Sequence, residues 1–149
     1  MAGVFKPYAD QECIRYYQEK ASAGFADGDL VYTDDTAGQI AICGADPTCI
    51  LGIARKTASG TAATMIPVDV IRPGDEVVIA YSTTTIQAAI GDSIGIVTTT
   101  TAVTADHTEV TAKRVTIHAL YKDAVGASGG RYVVTFIPKY LEYGGNNVA

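Results

Sequence analysis

Val115-Thr116-Ile117-His118-Ala119-Leu120-Tyr121 and Arg131-Tyr132-Val133-Val134-Thr135-Phe136-Ile137-Pro138 decide the fold class. In the first, Val115, Ile117, Ala119 and Tyr121 alternate with Arg114, Thr116, His118 and Leu120. In the second, Tyr132, Val134 and Phe136 alternate with Val133, Thr135 and Ile137. A period of two puts successive side chains on opposite faces of an extended chain, whereas a helix repeats near 3.6. Pro138 has no N–H to give a ladder, so it ends the second run. Between the runs lies Gly126-Ala127-Ser128-Gly129-Gly130, a hairpin loop; a phosphate cradle there would need a helix to follow, and a strand follows instead.

The same reading extends upstream. Leu30-Val31-Tyr32, the turn Asp34-Asp35-Thr36-Ala37-Gly38 and Gln39-Ile40-Ala41-Ile42 form strand, turn and strand. A hairpin around Asp46-Pro47 is expected to lead into Ile50-Leu51-Gly52-Ile53-Ala54. Met65 to Ile71 puts Ile66, Val68 and Val70 on one face and Asp69 on the other. After the turn Arg72-Pro73-Gly74-Asp75, Val77, Ile79 and Tyr81 share a face. Thr, Val, Ile and Tyr dominate these segments and suit a pleated surface. The expected class is therefore all-β, a single β-barrel or β-sandwich-like domain over residues 10–149, with residues 1–9 as an extended N-terminal arm. Gln11 to Lys20 reads either as a helix capped by Asp10 or as a tyrosine-rich strand, and the strand is preferred. Gly28-Asp29-Leu30-Val31, Gly74-Asp75-Glu76-Val77 and Gly91-Asp92-Ser93-Ile94 each set a Gly-Asp turn before an apolar strand. Their spacing is too uneven for a solenoid or propeller.

Composition narrows the function. A chain of 149 residues with 48% hydrophobic and 18% charged residues is long enough for its own core. The net charge of −5 and scattered basic residues argue against a nucleic-acid partner, which needs clustered Lys and Arg. No apolar run approaches the roughly 20 residues of a membrane helix, so no membrane partner is expected. The opening Met1-Ala2-Gly3-Val4-Phe5-Lys6-Pro7 lacks the apolar stretch of a secretion signal, which points to synthesis in a cytosol.

Cys13, Cys43 and Cys49 are odd in number and so form no disulfide framework. Cys43 and Cys49 flank a turn and read either as a disulfide, worth about 2–2.5 kcal/mol in the chain-entropy model, or as two thiols. No zinc set accompanies them. Gly91-Asp92-Ser93-Ile94-Gly95 matches G-x-S-x-G, but a strand follows where a nucleophile elbow needs a helix. His107, in Asp106-His107-Thr108-Glu109, reads as a solvated turn rather than a metal ligand, and His118 as a sheet-face residue. Neither histidine is tied to Ser93. The threonine runs at Ser82 to Thr85 and Thr98 to Thr101 read as loop and sheet edge. The expectation is a chain with no catalytic residue, metal or cofactor, whose work is protein binding.

Phe25-Ala26-Asp27-Gly28-Asp29-Leu30-Val31-Tyr32, Ile50-Leu51-Gly52-Ile53-Ala54 and on to Thr61, Ile66-Pro67-Val68-Asp69-Val70-Ile71, and Pro73-Gly74-Asp75-Glu76-Val77 follow one another in an order that resembles capsid decoration (cement) proteins of tailed bacteriophages. The likeness runs loosely over residues 25–97 and its motifs are structural. It implies a compact β-barrel, a homotrimer or other small oligomer, and a place on the outer capsid surface, bracing the major capsid protein. Synthesis would then be in the host bacterial cytoplasm. On that reading the arm, through Phe5, Pro7 and Tyr8, and the tail, through Tyr140 and Tyr143, supply contacts between subunits, since aromatics are favoured interface anchors. The alternatives are another virion component (head-tail joining, tail or fibre), or a small-ligand-binding barrel with a pocket lined by Tyr16, Tyr17 or Tyr81.

Overall fold

The structure is a computed structural model that describes residues 3–21, 23–34, 38–44, 47–61, 64–83, 89–98, 103–122, 126 and 130–142. Tyr143, most of the glycine-rich loop and most of the threonine runs lie outside the described residues.

Among the described residues, ten strands divide between two sheets by position in the chain. The first half supplies β1 (Ile14–Gln18), β2 (Leu30–Thr33), β3 (Ile40–Ile42), β4 (Gly52–Ala54) and β5 (Met65–Val70), in the spatial order β1-β5-β4-β2-β3. The second half supplies β6 (Glu76–Tyr81), β7 (Ser93–Thr98), β8 (Val103–Asp106), β9 (Val115–Leu120) and β10 (Arg131–Phe136), closed into a barrel in the order β10-β6-β8-β7-β9. Every strand pair is antiparallel except β6 with β8. The all-β expectation holds, and the strand reading of Ile14 to Gln18 holds with it, preceded by one short 3-10 turn at Ala9–Gln11.

The Gly-Asp echo is a repeated physical device. The amides of Asp29, Asp75 and Asp92 each donate back to the carbonyl three residues earlier, at Ala26, Arg72 and Ala89, all at 3.0 Å. The intervening Gly28, Gly74 and Gly91 have φ of 95°, 88° and 97°, a region in which a side chain is strained. In two of the turns the aspartate also accepts the N–H at the turn's first residue: Ala26 N at 2.8 Å and Arg72 N at 2.9 Å. The turns then enter β2, β6 and β7.

The expected hairpin around Asp46-Pro47 does not form, because β3 and β4 lie on opposite edges of β2. Val31 faces Ile42 on one side and Gly52 on the other. Successive carbonyls of a strand point to opposite edges; accordingly, Leu30 O takes Cys43 N and Val31 O takes Leu51 N, both at 2.9 Å. Gly52 lets β4 lie close against β5, since a Cβ there would meet Asp69 O at 2.3 Å. The alternation in β9 is also interrupted. Ile117 opposes Val134 while Ala119 opposes Val133, so His118 is the extra residue of a β-bulge. Past the bulge the phase flips: Ala119 turns outward and Leu120 packs on the core.

Two apolar clusters result. The larger fills the barrel, with Tyr132, Phe136, Ile79, Ile96 and Ile117 fully or almost fully buried, and reaches Leu30 and Ile53 of the sheet. The smaller lies on the sheet's other face, where Ile66, Val68 and Val70 pack with Phe25. The sheet's two edges approach one another at one end, where Glu19 bridges Ile40.

Both ends of the described chain fasten sheet to barrel. The arm is extended, but it is not free. Val4 is wholly buried, and its N–H bonds Gly28 O at 3.0 Å. Phe5 forms an antiparallel bridge with Val78, on the half of β6 that β8 leaves unpaired. At the other end, the 3-10 turn Pro138–Tyr140 brings Leu141 alongside Ile50. There Ile50 N donates to Tyr140 O at 2.8 Å and Glu142 N to Ile50 O at 2.9 Å.

Candidate functional site

The sheet offers one face that nothing in the described chain covers at its outer end. Tyr16 of β1 lies opposite Pro67 of β5, and Gln18 opposite Met65. Directly opposed residues share a face, as do residues two apart, so Ile14, Tyr16, Pro67 and Met65 project on the same side. The odd-numbered neighbour Tyr17 faces the small core instead. Ile14 is 38%, Tyr16 63% and Met65 49% exposed, so the outer end of this face carries an exposed apolar strip.

The inner end of that face is closed by Lys6. Its ammonium reaches Asp69 and Asp75, each at 2.9 Å, and the carbonyls of Gln11 at 2.8 Å and Val70 at 2.7 Å. Arg72 adds a contact to Asp75 at 3.3 Å and another to Gln11 O at 2.8 Å. Burial pushes the Asp75 carboxyl up, but the Arg72 N–H and the Lys6 ammonium outweigh it and hold it below its ordinary value. Asp69 Oδ1 accepts Cys13 N at 3.0 Å; its Oδ2 is buried without a hydrogen bond, with Arg55 at 3.6 Å. Glu19 does comparable work for the loop at Ser59-Gly60. Its carboxylate takes Ser59 N and Gly60 N at 2.9 Å and the Ser59 hydroxyl at 2.6 Å. Burial raises that carboxyl, and these donors together bring it below its usual range.

A cavity of about 360 Å³ lies at the β3 edge of the sheet, lined by Tyr32, Ile42, Cys43, Gly44, Pro47, Thr48 and Cys49. Cys43 and Cys49 are unbonded, with Cys43 Sγ 3.8 Å from the Cys49 carbonyl oxygen. Burial and then the Glu142 carboxylate push both thiols up, Cys49 to about 12. Glu142 itself accepts Thr33 N at 2.9 Å and the Thr33 hydroxyl. Nearby, the buried Arg114 donates to Pro47 O at 2.6 Å and stacks 3.9 Å above the Tyr140 ring.

The other sequence candidates separate. Ser93 pairs across β7 and β9 with the Thr116 hydroxyl at 2.9 Å. His118 Nε2 meets Thr135 at 2.8 Å, and His107 Nδ1 meets Ser82 at 2.5 Å; neither histidine is brought to Ser93. Asp106 is held low by the Thr108 hydroxyl and N–H, and among the described residues no three His, Cys, Asp or Glu side chains cluster as a metal-ligand set. Of the pocket tyrosines, Tyr16 is exposed, Tyr17 packs on the small core, and Tyr81 stacks edge-on to Tyr132 at 4.9 Å inside the filled barrel. Of the expected interface residues, Phe5 is engaged edge-on with Tyr121 at 5.5 Å and Tyr140 lies beneath Arg114, while Pro7 is half-buried and Tyr8 is 49% exposed.

Sequence reading passed over Ile14, Met65 and the Lys6 cage. The signal for the cage was a lone acid, Asp69, in an otherwise apolar strand, matched by a lone lysine between Phe5 and Pro7. The fold defines a two-sheet, all-β protein with one closed five-stranded barrel and an exposed apolar strip on the sheet. Comparison of the chain with protein-family models, with curated proteins and with solved structures finds no match.

Proposed function

We propose that this chain is a structural virion protein, a decoration protein that sits on the outer surface of a bacteriophage capsid and braces the major capsid protein as a small homo-oligomer such as a trimer. The observation that supports the reading is the exposed strip Ile14, Tyr16, Pro67 and Met65, on a rigid sheet whose inner end is fixed by a buried ion cluster. Rigid presentation lowers the entropic cost of docking. The segments that resemble decoration proteins fall on the Gly-Asp turn into β2, on β4, on β5 and on the turn into β6, so the resemblance concerns the scaffold behind this face.

The test is the abundance of the chain in purified particles relative to the major capsid protein. Near-stoichiometric copies, released before the shell breaks and reduced by Tyr16→Asp with Met65→Asp, are the expected result. A few copies per particle point to a joining, tail or fibre component. Absence from particles removes the virion reading altogether.

A further inference from the structure

We propose that two copies of this chain pair antiparallel through the free edge of β1, on a twofold axis at Ile14, so that their sheets become one. Such a dimer needs no capsid and is independent of the capsid reading, because pairing uses the edge of the strand and leaves the apolar strip of each copy open. β1 ends the order β1-β5-β4-β2-β3, and parity fixes which of its backbone groups face outward. Val70 N donates to Cys13 O and Glu19 N to Thr64 O, both at 2.9 Å, so the odd-numbered residues of β1 turn their N–H and C=O toward β5. Successive residues point theirs to opposite edges, which turns those of Ile14, Tyr16 and Gln18 outward.

Part of that outer edge is already taken. Glu19 bridges Ile40 in parallel and Lys20 N donates to Ile40 O at 2.9 Å, so β3 lies beside the end of β1. The stretch from Glu12 to Tyr16 stays open. Among the described residues nothing meets the N–H or C=O of Ile14 and Tyr16, both of them exposed. Ile14-Arg15-Tyr16-Tyr17-Gln18 carries no proline, lysine or bulge, devices that keep a bare edge from pairing.

The charge order of the strand selects a second copy as the occupant. Asp10 and Glu12 stand before it, Arg15 and Lys20 within and after it, all exposed, while Glu19 is buried and engaged with Ser59 and Gly60. An antiparallel pair of identical strands sets the acidic end of each against the basic end of the other, twice over. Register follows by exclusion. An axis at Tyr16 sends the second Ile14 to Gln18, into the space beside Ile40, and an axis at Arg15 opposes two guanidinium groups. An axis at Ile14 avoids both. There each Ile14 exchanges N–H···O bonds with its counterpart. Each Tyr16 N–H meets the Glu12 carbonyl opposite, whose own N–H already donates to Ala9 O at 3.1 Å.

The purified full chain, isotope-labelled and held in reductant, tests this by sedimentation and by amide hydrogen exchange from dilute to concentrated solution. The expected result is a monomer–dimer equilibrium. In it the Ile14 and Tyr16 amides, fast in dilute solution, slow at least about tenfold as the dimer forms, while those of Arg15 and Tyr17, which face β5, do not change. Tyr16→Pro removes only an outward N–H, which an edge strand tolerates, and Ile14→Lys puts two ammonium groups on the axis; each is expected to fold and to stay monomeric. Glu12→Lys, which reverses the charge complement twice, is expected to raise the dimer Kd about tenfold. A monomer at every concentration, a trimer, or a dimer that leaves the Ile14 and Tyr16 amides fast overturns the pairing. So does a dimer undiminished in Ile14→Lys with wild-type melting behaviour.

Discussion

The N-terminal strap and the C-terminal clasp hold the same two sheets together by different physics. The strap uses a buried cation: Lys6, 2% exposed at its side chain, inside four oxygens supplied by β5, the turn into β6 and the 3-10 turn. The clasp uses backbone pairing at Ile50, an acceptor at Glu142 and a stacked guanidinium over Tyr140. A buried ion pair has no fallback, because removing one partner strands the other in a medium that cannot solvate it. A clasp built from several modest contacts loses them one at a time. The two ends should therefore differ in how they fail.

Lys6→Met is the sharpest way to break the comparison. It leaves Asp69 and Asp75 facing one another without the ammonium, and a loss of about 3–5 kcal/mol in urea unfolding is expected. The pH dependence carries a sign. The folded Asp75 carboxyl titrates below its unfolded value, so its contribution is present above about pH 4 and is lost as the pH falls through the folded pKa. The gap between wild type and Lys6→Met should accordingly narrow in acid below about pH 4; a gap that stays constant down to pH 2 would remove the cage from the account. Arg114→Met, at the clasp, forfeits the charged hydrogen bond to Pro47 and the stacking, for about 2 kcal/mol. Tyr140→Leu keeps the apolar contact and loses only the cation–π share, about 0.5–2 kcal/mol. If Tyr140→Leu proves as costly as Lys6→Met, the clasp is as brittle as the strap and the contrast fails. Tyr16→Ser sits at the bottom of the series: unfolding free energy within about 0.5 kcal/mol of wild type, since the side chain is 63% exposed, with the effect appearing instead in partner binding.

What the sequence made legible was local. The Gly-Asp turns announce themselves because the chemistry of a left-handed glycine and a back-bonding aspartate is complete within four residues. Strand identity was likewise readable from period-two alternation at Val115 to Ile117 and at Tyr132 to Phe136. Partner choice was not. Alternation tells which face a residue takes and is silent on which strand lies beside it, so the β3 to β4 connection looked like a hairpin while it steps across β2. The bulge at His118 escaped for a similar reason, since an extra residue is defined only by the strand opposite. The strap was the largest miss. Lys6 meets Asp75 across 69 positions, and no local pattern marks an ion pair at that distance. The exposed strip escaped as well, because Tyr16 and Met65 become neighbours only once β1 is laid against β5.

The bridge between Phe5 and Val78 has a consequence for how the chain comes to be folded. A segment that must wait for residues some seventy positions downstream cannot be placed early, and the loop it closes has to be drawn in before any contact rewards it. On a ribosome, Lys6 emerges with no carboxylate to meet and stays in solvent until Asp69 and Asp75 have been translated and their turn has formed. Seating the strap therefore waits for β5 and β6 but not for β7 to β10, and a chain from which the strap is displaced presents the bare half-edge of β6 to its surroundings, where another strand can pair with it.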